Sequence, residues 1–219
     1  MVRVGEVLLG EALSETVAPA RLWLAEDAFE LAGAETTSCL RPIIEALEGR
    51  IGIAQTLNFS EPEGYPHWMR CFRLVQAREI QIQHKDWITA TKPRFGPEIA
   101  ERFAWALSVT EAEAAPARKD REVLRARLLE MVAGDAVICL PAAPDIAPRL
   151  SASVGDLLEH RDRVLGLTAM AGLAGLPQIS LPLATLKGSP LGFSLIAGPG
   201  KDTMLLALAK TLTMETETR

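Results

Sequence analysis

The chain has 219 residues, 48 % hydrophobic and 23 % charged, the balance of an ordinary globular fold. Its net charge of −5, with no basic block interleaved with aromatics, argues against a nucleic-acid surface. No apolar run reaches the roughly 18 residues of a membrane span, and Cys39, Cys71 and Cys139 lack the CxxC spacing of a zinc site or a disulfide framework.

Taken in order, residues 1–13 place Val4, Val7 and Leu8 at helical spacing and read as the tail of a helix. Glu6 and Glu11 interrupt any signal-peptide core, so the expected location is a reduced cytoplasm. The apolar run Arg21–Ala25, ending in Glu26 and Asp27, predicts a buried strand. Cys39 to Leu47 predicts a helix with Pro42 near its first turn and Gly49 just past its end. Ile51 and Ile53 alternate within 50–57 and predict a second strand.

A helical block of about 65–133 follows. Tyr65-Pro66-His67-Trp68 opens a long helix whose apolar stripe is Trp68, Phe72, Val75 and Ile82. Gly96-Pro97-Glu98 opens another, with Ile99, Phe103, Ala106 and Leu107 on its face. Arg118 to Val132 predicts a third that buries Leu124, Leu128 and Met131 and stops at Gly134.

Asp135 to Pro141 is a nearly unbroken apolar run, as expected of a central strand buried on both faces. Prolines 141, 144 and 148 end it in a stiff loop, and Leu157 to Ala174 is a further helix. The alternations Ile179/Leu181/Leu183 and Leu191/Phe193/Leu195 predict two strands joined by a tight turn at Lys187-Gly188-Ser189. Pro182 predicts a strand end or a bulge, since proline cannot donate to the ladder. Gly198-Pro199-Gly200 breaks the pattern, and Asp202 is the expected cap of a last helix carrying Met204, Leu205, Leu208 and Leu212. No repeat or low-complexity linker divides the chain, so residues 1–219 are expected to form one unit of α/β class, a mixed twisted sheet with helices around it.

The segments Gly175-Leu176-Pro177-Gln178-Ile179-Ser180-Leu181-Pro182 and Pro190-Leu191-Gly192-Phe193-Ser194-Leu195-Ile196, followed by Met204-Leu205-Leu206, resemble the C-terminal core of the amidase signature family. Asp135 to Pro141 is similar to that family's Asp-x-Leu-Leu-x-Pro strand, with Ala142 where a threonine is usual and Gly172 where many members carry asparagine. Phe72-Arg73, Gln76-Ala77-Arg78-Glu79, His84, Trp87-Ile88 and Arg102-Phe103 resemble the subgroup of plant indole-acetamide amidases and their non-catalytic chloroplast receptor relatives.

The resemblance implies hydrolysis of a small carboxylic amide without metal or organic cofactor. It also implies a lysine, a serine in a cis peptide and a nucleophilic serine, with backbone N–H groups of a glycine-rich loop holding the oxyanion. No such glycine/serine block occurs here, and the six lysines (85, 92, 119, 187, 201 and 210) lie on helix faces, in turns or beside glycine. Met1 falls just past where that block would end, so the expectation is a C-terminal half without catalytic residues of its own. Three readings follow: part of an amidase inactive alone, one chain of a two-chain amidase, or a non-catalytic binding or scaffold protein.

The remaining candidates have simpler structural readings. Ser151, Ser153 and Gly155 form the one serine cluster beside a glycine, which reads as a loop and helix cap. Cys139 lies inside an apolar strand and reads as inert core. His67, His84 and His160 have no metal-ligand spacing, and Glu79 does not stack over His84. Asp156, Glu159, Arg161, Asp162 and Arg163 read as a solvated helix face, and Trp23, Trp68, Trp87 and Trp105 as core or half-core rings. If the parent follows its family, the loops after strands ending at Leu140 and Leu183, with Trp68, would line the substrate cleft, because ligands gather at strand ends in open α/β sheets.

Overall fold

A computed structural model describes residues 2–10 and 18–217. Five strands form one sheet in the order β2-β1-β3-β5-β4, with β1 at Arg21–Ala25, β2 at Gln55–Leu57, β3 at Ala136–Pro141, β4 at Gln178–Leu186 and β5 at Ser189–Ile196. β1 pairs parallel with β2 and β3, while β5 runs antiparallel to both β3 and β4. Four strands therefore point one way, and the sheet is mixed and flanked by helices, as expected.

β3 sits in the middle, and every one of its six residues is buried. Its side chains alternate between two cores, because successive strand residues face opposite sides. Val137 and Cys139 join Leu22, Phe193 and Leu195 beneath α3 (Ala34–Ile51) and α8 (Asp202–Glu217). Ile138 and Leu140 join Trp68, Leu124, Leu128, Leu167 and Met170 beneath α4 (Tyr65–Thr91), α6 (Glu111–Met131) and α7 (Val154–Ala174). An uncharged run is what a strand packed on both faces requires.

The β4–β5 connection has Lys187 at φ 52° and Gly188 at φ 78°, the two positive values that a two-residue type I′ hairpin turn needs. Pro182 falls within the register shift between Leu181 and Ala184, so the proline lies at a bulge.

Several boundaries differ from expectation. The short helix α2 (Glu26–Ala32) follows β1 directly, and α3 runs past both expected limits. Gly49 lies inside α3, and Gly52, at φ 119°, ends it instead. Strand β2 is only three residues, because Arg50 and Ile51 belong to α3 and Ile53 is 88 % exposed. In α4 the expected stripe fails at Ile82, which is 75 % exposed, since the last turns of this 27-residue helix reach beyond the core.

Helix α5 (Pro97–Ser108) buries Ala106 alone, against Ala77, Val109 and Ala114, while Ile99 faces solvent. Helix α6 starts seven residues before its expected limit, where Thr110 and Glu113 form a reciprocal capping box. Asp202 is the first residue of α8 and not its cap. At the other end, α1 (Val2–Leu9) leaves Val4, Val7 and Leu8 exposed, and the rest of the expected 1–13 helix tail, at 11–13, lies outside the described residues.

Candidate functional site

The carboxyl ends of β1, β2, β3 and β4 share one side of the sheet, and their loops meet there. Asp27, at the start of α2, anchors this end. Its Oδ1 accepts from the Phe59 N–H at 2.8 Å, and its Oδ2 accepts from the Ser60 N–H and hydroxyl, each at 2.7 Å. Phe59 and Ser60 are buried, so these donors have no water to fall back on. Tyr65 is buried nearby, and burial first, then the negative charge of Asp27, pushes its hydroxyl pKa up.

Trp68 closes the same loop from the other side. Its indole N–H donates to the Ser60 carbonyl at 2.8 Å, and the Arg127 guanidinium lies 5.5 Å from its ring centroid. Arg127 also donates to the Glu61 carbonyl and, at 3.0 Å, to Glu63 Oε2. Trp68 is 1 % exposed and thus pins the loop at 58–64 without offering its face to a ligand.

The loop after β3 is tied down as well. The Thr36 hydroxyl donates to the Pro144 carbonyl at 2.8 Å, and the Ala142 N–H donates to the Gly192 carbonyl at 3.0 Å. A Cβ on Gly192 would stand 2.7 Å from the Ala142 Cβ, so glycine is what lets β5 approach this loop. The strand expected to end at Leu183 continues to Leu186, and its loop is the Lys187–Gly188 turn, where the Lys187 ammonium donates to Glu35 at 2.8 Å.

The serine candidates are caps. The Ser153 hydroxyl accepts from the Asp156 N–H at 3.2 Å and donates to its carboxylate at 2.8 Å, a capping box at the exposed start of α7. Cys139 is fully buried in β3, and burial pushes its thiol pKa up, away from nucleophilic thiolate.

A closer approach to a catalytic constellation was missed in the sequence, although its His-x-x-x-Cys spacing is visible there. His67 and Cys71 stand one turn apart on α4, and His67 Nε2 lies 3.2 Å from Asp120 Oδ2 on α6. The chemistry does not follow. Cys71 is 2 % exposed, its thiol donates to the Ala117 carbonyl at 2.9 Å, and burial raises its pKa to about 11.

The other polar candidates are structural. Arg163, expected on a solvated face, donates to the carbonyls of Leu31 and Ala32 and so closes the end of α2. Asp162 pairs with Arg73 at 2.5 Å, and Glu79 with Arg121 at 3.5 Å. His84 packs edge-on against Trp87 and Phe103. Trp23 donates to the Met131 carbonyl at 2.9 Å, whereas Trp87 and Trp105 are 48 % and 46 % exposed and thus lie outside the expected core. Among the described residues no group of three or more His, Cys, Asp and Glu could hold a metal, and no helix is long and apolar enough to cross a membrane.

An open groove of about 410 Å³ runs between the end of β1, α2 and α3, floored by Leu24, Phe29 and Ile44 and rimmed by Glu26, Glu30 and Arg41. The Thr37 hydroxyl at its edge is engaged by the carbonyls of Phe29 and Gly33. Among the described residues the carboxyl-end loops are thus tied by hydrogen bonds, and the serine and thiol candidates are a helix cap and buried groups.

Comparison with known proteins agrees with this architecture. A family model described as Amidase matches residues 64–206. The chain is 29 % identical over 238 residues to Amidase 1 of Arabidopsis thaliana, covering 96 % of this chain and 56 % of that protein. It is 22 % identical over 234 residues to the translocon at the outer membrane of chloroplasts 64 of Pisum sativum, covering 96 % of this chain and 40 % of that one. A crystal structure of an amidase superposes with a TM-score of 0.78 at 24 % identity, over 98 % of this chain and 50 % of its own. With the family profile matched across most of the sheet and its helices, the chain belongs to the amidase family and spans about half the length of the relatives it matches.

Proposed function

We propose that this chain is the wall-forming half of an amide hydrolase and is inactive by itself. The observation that carries the reading is the asymmetry of coverage: 96 % of this chain aligns to only 56 % of Arabidopsis Amidase 1. Within that span the nucleophile candidates are a capping serine and two buried thiols whose pKa values are raised. Acyl transfer needs an activated nucleophile and preorganised oxyanion donors, and those would come from residues outside this chain.

On this reading the carboxyl-end loops held by Asp27, Trp68 and Gly192 shape one side of the cleft, and a small carboxylic amide is the substrate class. No cofactor enters the reading. The three free cysteines fit a reduced, cytoplasmic setting.

A two-chain arrangement is the second reading. It is favoured by 32 % identity over 121 residues to one subunit of the glutamyl-tRNA(Gln) amidotransferase of Pseudomonas savastanoi, a protein whose name marks it as part of an assembly. The test is release of ammonia from a panel of aryl and alkyl amides. The purified chain should release none above buffer, and the chain joined to a polypeptide carrying the family's lysine and two serines should turn over. Hydrolysis by the chain alone would overturn the proposal.

A further inference from the structure

The start of α7 carries an apolar face that its own chain leaves bare. Leu150, Val154, Leu157 and Leu158 are 109 %, 74 %, 44 % and 54 % exposed. Positions 154, 157 and 158 share one side of the helix, and Leu150 lies in the turn just before it. This segment is held in shape. The Ala152 N–H donates to the Arg149 carbonyl at 2.9 Å, and the Ser153–Asp156 capping box fixes the first turn of α7. Leu150 stands clear of its own chain, as a knob offered to a partner does and the lining of a pocket does not. The four side chains expose on the order of 450 Å² of apolar surface, toward the upper end of what a single chain leaves in water.

The charges at the two ends of this face are unspent. Arg149 and Glu159 are exposed, and among the described residues neither takes part in an ion pair. Glu159 finds no cation on its own helix: Arg163, one turn on, donates to the Leu31 and Ala32 carbonyls, and Arg161, two positions on, does not share its side. The pattern is symmetric in hydropathy and opposite in charge about Val154. Leu150 and Arg149 stand four and five positions before it, and Leu158 and Glu159 stand four and five after it.

We propose that this face joins two copies of the chain about a two-fold axis at Val154, with Leu150 of each copy against Leu158 of the other and Arg149 opposite Glu159 at both ends. A second copy is the occupant because the face is complementary to itself: apolar side chains meet at the centre, and each unpaired charge meets its opposite. A partner surface of one sign would set like charges together at one end. Two such faces cover about 900 Å² of apolar surface, and the charged rim carries the interface past the roughly 1,000 Å² expected of a specific contact. Self-association of this kind needs neither amide hydrolysis nor a second kind of chain.

The test is sedimentation velocity on the purified full chain at concentrations up to about 200 µM, where monomer and dimer should exchange with a Kd on the order of 10 µM. Leu150→Glu and Leu158→Glu, both at exposed positions, should each weaken association at least about tenfold and leave the far-UV circular dichroism unchanged. Arg149→Glu should weaken it about tenfold by setting two glutamates together at each end of the face. The reversed pair Arg149→Glu/Glu159→Arg should return the affinity to within about threefold of the starting value. A chain that stays monomeric at about 200 µM overturns the proposal. So does a dimer that survives either leucine variant, or a charge reversal that has no effect or that the second reversal does not rescue.

Discussion

Replacing Asp27 by alanine tests whether one carboxylate holds the carboxyl-end loops. The side chain accepts three hydrogen bonds, at 2.8, 2.7 and 2.7 Å, from two backbone N–H groups and one hydroxyl that lie 32 and 33 residues along the chain. A hydrogen bond to a charged group contributes roughly 1.5–3 kcal/mol, so an additive sum would be about 4.5–9 kcal/mol. The expected loss is smaller, about 3–5 kcal/mol, because Asp27 is only half-buried and water can reach part of the vacated site. Urea unfolding followed by far-UV circular dichroism should show a lower midpoint with an unchanged slope. Asp27→Asn keeps an acceptor but turns an N–H₂ toward one donor, and about 2 kcal/mol should be lost. A double-mutant cycle with Ser60→Ala should return a coupling of about 1–2 kcal/mol. A loss below about 1 kcal/mol for Asp27→Ala, or strict additivity with Ser60→Ala, would refute the anchor.

Three further outcomes follow from named contacts. Gly192→Ala places a methyl group 2.7 Å from the Ala142 Cβ and should destabilise by about 1–3 kcal/mol, whereas Gly172→Ala, on helix α7 and 3.6 Å from Phe72, should stabilise by about 0.5–1 kcal/mol; thermal denaturation of both variants checks the pair. Thr110→Ala and Ser153→Ala each remove a capping box and should cost about 1 kcal/mol apiece, additively because they serve different helices; chemical denaturation of the single and double variants measures this.

The third outcome concerns pH. Burial raises Cys71 from 9.0 to about 11, so between these values the folded chain holds a proton that the unfolded chain has released. That stability is fully present below pH 9 and lost as pH rises toward 11, and Cys71→Ala should flatten the decline in a pH series of urea midpoints. In the native chain at neutral pH a thiol reagent should label the half-buried Cys39 well before Cys71 and Cys139.

Legibility differed between elements for physical reasons. The strand alternations around Leu181 and Phe193 and the bulge at Pro182 depend on local backbone chemistry, and they appear where the residues place them. Helix limits were less legible. Gly49 is a sound stop signal in isolation, yet Ile43, Ile44 and Leu47 pack against the sheet and carry α3 through it to Gly52. Ile82 fits a helical stripe but has no partner, because α4 is longer than the core it crosses.

The site was the least legible part. Asp27 reads as one more acid after a strand, and nothing local ties it to Phe59 and Ser60. His67, Cys71 and Asp120 come together across two helices, yet burial of the thiol removes the chemistry that their residue types suggest.

Composition and periodicity by themselves determined the α/β class and the lack of a glycine/serine nucleophile block within this chain, because each depends on residue types and short spacings along the chain, and the family came from the resemblance of segments such as Gly175–Pro182 to known members, which the family match bears out. The strand order, the loop anchor at Asp27 and the unequal edges of the sheet were decided only by the tertiary structure, because they depend on which distant segments come into contact, and contact between distant segments is set by packing around β3 and not by local preference.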